Sequence, residues 1–230
     1  MSAAAIYVTC RELNKIMGDT LDGTKIEQIQ GTINDYAISA AVAGLVGAAV
    51  PGVASVVALV TQGGFVWATY VKINKTLGIS MSEHMAKFIG TAVLTNIAAS
   101  AGSTLIVLAG AAIFSFIPIF GQVAGAAVFA AAGYIMVYAA AIIYLKIITK
   151  FVKPDGTVDL SEDQTAKDAI KQVVKESDVE GILKEGRSQY KQAKADGSIN
   201  KAQQNLKCPG CGTTVKPGQR FCSECGHPLS

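Results

Sequence analysis

Two long stretches of this chain carry no charge: 35 consecutive residues from Ala37 to Val71, and 58 from Phe88 to Leu145. As continuous helix they would measure about 52 Å and about 87 Å, against a hydrocarbon core of about 30 Å, so each is long enough to cross a bilayer and return. Pro51 in GAAVPGVAS and Pro118 in FSFIPIFGQ lie near the middle of the two runs. Proline removes a backbone donor and clashes with the preceding turn, so each run is expected to break there into two helices. The pattern predicts helices over residues 33–50, 52–74, 81–117 and 119–149. The last is the most apolar, with ten Ile, Leu, Phe or Val between residues 119 and 145.

The flanks read differently. Residues 1–32 mix charged positions with Leu13, Ile16, Met17, Ile26 and Ile29, as in a short amphipathic lead-in lying on the surface or against the hairpin bases. Residues 151–204 are charged, with Ser161 and Gln164 spaced as a capping box before a helix over 162–176 and a second helix over 178–195. Their sparse apolar positions predict a helical or flexible tether rather than a core. Ser80 and Glu83 are spaced as another capping box, which makes the neighbouring His84 an exposed helix-start residue. The expected fold class is therefore an all-α membrane-type domain of two proline-turned hairpins, four helices over residues 33–150, followed by a tether and a small cysteine-bearing tail over 205–230.

Tyr36, Trp67, Tyr70, Phe88 and Tyr144 all fall at the bases of the hairpins, where an interfacial aromatic belt would lie, together with Lys72, Lys75, Lys87, Lys146, Lys150 and Lys153. The tips carry no Lys or Arg. The positive-inside rule places the bases, both termini, Cys10 and the tail in the cytoplasm, with Ser55 and Gln122 deep in the bilayer or across it. Ala and Gly outnumber Leu, and the first run gives barely 17 residues per arm, so partial insertion and a soluble bundle stand beside full crossing.

Small residues mark where helices would meet. Gly121 and Gly125 form a GxxxG, and Ala43 with Gly47 repeats the small-xxx-small theme, which predicts homo-oligomers built through close backbones. Thr91, Thr95, Asn96, Ser100 and Ser103 place polar groups along the third helix, to bond a neighbouring helix or to line a water path. The proline, small-residue and aromatic order of the two runs also allows a duplicated helix-proline-helix unit.

The tail holds the plainest chemistry. Cys208 and Cys211 form one CxxC, Cys222 and Cys225 a second, with ten residues between. Four thiolates at this spacing can close a tetrahedral Zn²⁺ site, and about 20 residues contain too little core to fold without the metal. Gly212 and Gly226 follow the second cysteine of each pair, where positive φ lets the chain turn around the ion, and Pro209 and Pro217 stiffen the loops. Two disulfides are the competing use of four cysteines, but a fifth, Cys10, and the absence of a basic n-region at the start disfavour an oxidised secreted domain. His227 is not needed once four sulfurs are counted. The tail resembles the short zinc ribbons at the ends of many bacterial and archaeal proteins.

The succession AVAGLVGAAVPGVASVVALVTQGGFVWATYVKINKTLGIS, then a second hairpin turning at FIPIFGQVAGAAV, resembles a bacterial domain of unknown function that is fused to or encoded beside Era-like and dynamin-like GTPases. The likeness covers about residues 30–150. It implies membrane association and a part in membrane remodelling or trafficking. This chain has no GxxxxGK[ST] of its own, and DVEG at 178–181 falls on a polar helix.

Net charge is +3, and only Lys207, Lys216 and Arg220 add basic character to the tail, which is thin for nucleic acid. No Ser/His/Asp, Cys/His or paired-carboxylate arrangement stands out. These observations lead to the expectation of a non-enzymatic, membrane-embedded adaptor whose cytosolic zinc ribbon recruits or regulates a protein partner. A homo-oligomeric pore or membrane-remodelling protein is the alternative, and a DNA-tethering membrane protein the third.

Overall fold

The computed structural model describes residues 4–18, 21–47, 54–109, 121–161, 163–204, 211, 213, 215 and 221–226, with the backbone alone at residues 4, 46–47, 54–62, 101–109 and 121–126. Eight helices run through the described residues: α1 (Ala4–Ile16), α2 (Gly23–Gly47), α3 (Ala54–Leu77), α4 (Glu83–Ala109), α5 (Gly121–Phe151), α6 (Gln164–Glu176), α7 (Val179–Ala195) and α8 (Ser198–Gln204). The chain is mostly helical, and helix boundaries fall on either side of both expected proline turns. Pro51 and Pro118 themselves lie outside the described residues.

The expected lead-in is two separate things. In α1, Ile6, Cys10, Leu13 and the following Met17 recur at helical spacing and are buried. Ile26 and Ile29 belong instead to α2, which starts ten residues earlier than expected because Asp22 caps it: the Lys25 N–H donates to Asp22 Oδ1 at 2.8 Å. From there Ile26, Ile29, Ile33, Ala37, Ala40, Ala41 and Gly44 form one buried stripe.

That stripe faces α5, around which the molecule is built. Helix α5 packs against α1, α2, α3, α4 and α7. Between Ala130 and Ile148 every residue is buried except the partly exposed Ala132 and Lys146. Among the described residues one stretch, Ala127–Phe151, is long and apolar enough to cross a membrane, and 83 % of its apolar window is buried inside the molecule. An all-round apolar helix has to be enclosed, and here the chain's own helices do much of the enclosing. Where α2 crosses α5 the contact is backbone to backbone, since a Cβ on Gly44 would sit 2.7 Å from the Phe129 carbonyl carbon. The small-residue approach therefore centres on Gly44, within one chain, next to the expected Ala43. Gly47, Gly121 and Gly125 are described by backbone alone, without their surroundings.

The expected aromatic belt is corrected at two positions. Tyr70 and Tyr144 are fully buried and stack face to face, with ring centroids 3.8 Å apart. The Tyr70 hydroxyl donates to the Ala140 carbonyl at 3.0 Å, and that of Tyr144 to Asn74 Oδ1 at 2.5 Å. Packing two rings against each other in the core satisfies both hydroxyls, a better use of them than an interface.

Three local expectations also change. The N-cap of α4 is Ser82, whose Oγ accepts the Met85 N–H at 3.0 Å, while Ser80 is drawn away by the Gly156 carbonyl. The N-cap of α6 is Asp163, which accepts from Ala166 N–H, so Gln164 is the first helical residue and not a partner of Ser161 in a box. Asp carboxylates so placed satisfy a free N–H and favour the positive end of the helix dipole. Among the described polar residues of α4, Thr91, Thr95, Asn96 and Ser100 donate to the carbonyls four residues back, at 2.8–2.9 Å, and the side chain of Ser103 lies outside the described residues.

The stretch expected to tether the tail is docked on the bundle. Helix α6 packs on α4, α7 on both α4 and α5, and α8 on α2. Sparse apolar residues suffice because they share a face: Ile170, Val173 and Val174 on α6, and Val179, Ile182, Leu183 and Gly186 on α7. A Cβ on Gly186 would lie 3.1 Å from the Tyr138 ring, and the Tyr138 hydroxyl donates to Glu185 at 2.9 Å.

The Gly44 contact yields a contrast. Gly44→Ala should lower the denaturation midpoint, with a loss of about 1–3 kcal/mol, because rigid backbone blocks the new methyl. Gly31→Ala, on the same helix with nothing within 4 Å, should be neutral or stabilising by up to about 1 kcal/mol. Equal effects at the two sites would remove the α2–α5 close approach from the account.

Candidate metal centre

Cys211, Cys222 and Cys225 converge: their sulfurs all lie within 4.8 Å of one another, and Cys211 Sγ and Cys222 Sγ are 3.5 Å apart. Zn–S bonds of about 2.3 Å at tetrahedral angles put sulfurs ~3.8 Å apart, so three corners of a zinc site are in place. Cys208, the fourth expected ligand, lies outside the described residues, as do Gly212, Pro209, Pro217 and His227. The local turn is the one expected after a second CxxC. Gly226 has φ +71° and its N–H donates to the Cys222 carbonyl at 2.9 Å, closing the chain around the sulfurs.

The surroundings favour thiolate. The hydroxyl of Thr213, then its backbone N–H, then Cys225 and Cys222 hydrogen-bond the Cys211 sulfur and bring its pKa down to about 6. Thr213 gave no signal in the sequence, since a threonine two places after a cysteine is unremarkable until the chain folds back on it. Cys222 and Val215 are buried, and Phe221 is 63 % exposed beside the site. Bound zinc would supply what this short segment lacks in core, a large share of its folding free energy.

Cys10 belongs to a different environment. It lies on the buried face of α1, and burial pushes its thiol up to about 11. His84 is exposed on the first turn of α4, as expected for a helix-start residue.

Comparison with known families matches a zinc-ribbon domain to residues 207–229, which spans all four cysteines. No curated protein and no solved structure matches the chain. The likeness of residues 30–150 to a GTPase-associated domain thus stands on its sequence markers alone. The metal is supported twice over, by the matched domain and by the three converging sulfurs.

Cys222→Ser should reduce bound zinc from near one equivalent to well below half, measured by metal analysis, with the helical circular dichroism of the bundle retained. In native protein stripped of metal, a thiol reagent should titrate four of the five cysteines quickly. Cys10 should react only on unfolding. A fifth fast thiol would contradict the burial of Cys10.

Proposed function

We propose that this chain is a non-enzymatic, membrane-associated adaptor. The uncharged ends of the two hairpins enter a bilayer from the cytoplasmic face, the charged helical base stays outside, and the zinc ribbon recruits a protein partner on the same side. The observation that carries this reading is that four helices lose their charges towards one end. Helix α2 has none after Asp35, α3 none before Lys72, α4 none after Lys87 and α5 none before Lys146. Side-chain contacts set charged ends of these helices side by side: Lys87 over Trp67, and Tyr70 on Tyr144.

Phe221, exposed next to the sulfurs, offers the ribbon an apolar contact for its partner.

Flotation with phosphatidylcholine–phosphatidylserine vesicles tests the membrane reading. The full-length protein should float and resist carbonate, and a Gln122→Cys thiol should be shielded from a membrane-impermeant maleimide while Lys75→Cys stays reactive. Protein that does not float, with Gln122→Cys labelled equally with and without vesicles, would overturn it. The recruiting reading is checked in cells by a photocrosslinker placed at Phe221, whose discrete adduct should vanish in Cys222→Ser.

A further inference from the structure

We propose that the elbow between α7 and α8 is an anionic-lipid collar, in which Lys191, Lys194 and Lys201 meet the headgroups of acidic phospholipids around the entering hairpins. The inference rests on the membrane reading above and adds where the surface lies and which lipid it prefers. Its first support is direction. Gly186 lies against Ile135 and Tyr138, and the Tyr190 ring sits 5.7 Å from that of Tyr134. Helix α7 therefore climbs α5 antiparallel, away from the charged base and towards the uncharged ends. One further turn brings Lys194 level with about Ala130, where the enclosed part of α5 ends. The chain then turns at Asp196 and Gly197, and α8 lays Lys201 beside α2.

The second support is how the charges are spent. The ion pairs among the described residues are Lys150 with Glu176, Lys153 with Asp159 and Lys184 with Glu180, all on the base or the lower half of α7. Lys191, Lys194 and Lys201 are exposed and have no carboxylate in ion-pair reach among the described residues. The one acid at the elbow, Asp196, accepts the Ser198 N–H at 2.9 Å and keeps its negative charge. Three lysines against one carboxylate leave net positive charge at the end of the bundle from which uncharged sequence continues. Lysines held at that height match a negatively charged surface crossed by an apolar segment.

Partition of the full-length, zinc-loaded protein onto vesicles of phosphatidylcholine alone, and of phosphatidylcholine with phosphatidylserine, tests this. Wild type should bind the acidic vesicles more tightly, and added salt should weaken that preference. K191Q/K194Q/K201Q should lose roughly fivefold per lysine, on the order of a hundredfold in all, on acidic vesicles, with little change on neutral ones. The control K75Q/K171Q/K175Q, exposed on the charged base, should lose much less. Equal losses in the two variants, or wild-type binding indifferent to phosphatidylserine, would overturn the collar and leave the membrane reading standing. Failure of the wild type to bind either vesicle would remove both.

Discussion

A helix that is apolar on every face has no side to give to water, and the enclosure of α5 is the constraint from which the other helices take their places. Three of its walls are pinned by a polar atom as well as by apolar contact. Tyr134 reaches Asn34 on α2, Tyr138 reaches Glu185 on α7, and Tyr144 reaches Asn74 on α3. A buried hydroxyl left without a partner costs about 1–3 kcal/mol, so these tyrosines select one register for each neighbour where apolar contact alone would accept several. Tyr70 completes the set from the other side by donating to the α5 backbone at Ala140.

The ribbon answers to a different constraint. The sulfurs of its three described cysteines lie within 4.8 Å of one another, and among its described residues Cys222 and Val215 are the buried ones. One part of the chain is specified by packing around a helix and the other by the geometry of a metal. A substitution that loosens one has no direct route to the other's source of stability.

Helical content, the two pairs of long helices and the metal chemistry were all legible in the residues, because uncharged runs and paired CxxC motifs are dense local signals. What escaped was decided by tertiary partners. Ile26 and Ile29 sit in register with Ile33, but Gly31 and the charges around them hid that continuity until Asp22 was seen as the cap. Tyr70 and Tyr144 stand 74 residues apart, and nothing local marks them as a stacked pair rather than an interfacial belt. Residues 164–204 looked too polar to pack, yet a handful of apolar side chains on one face is enough when the opposing surface is already built. In the ribbon, Cys211, Cys222 and Cys225 were readable from spacing, while the donors that stabilise the Cys211 thiolate came from a threonine with no motif around it.

The outer face of α4 combines Thr91, Thr95, Ala98, Ala99 and Ser100, exposed and without charge. Because its hydroxyls are already bonded to the helix's own carbonyls, moving this face from water into hydrocarbon strands no donor, and the several kcal/mol that an unbonded hydroxyl would cost on that transfer do not arise. The face is close to indifferent between the two solvents. In the proposed membrane reading it would exert little pull on depth, and the charged groups would set the waterline.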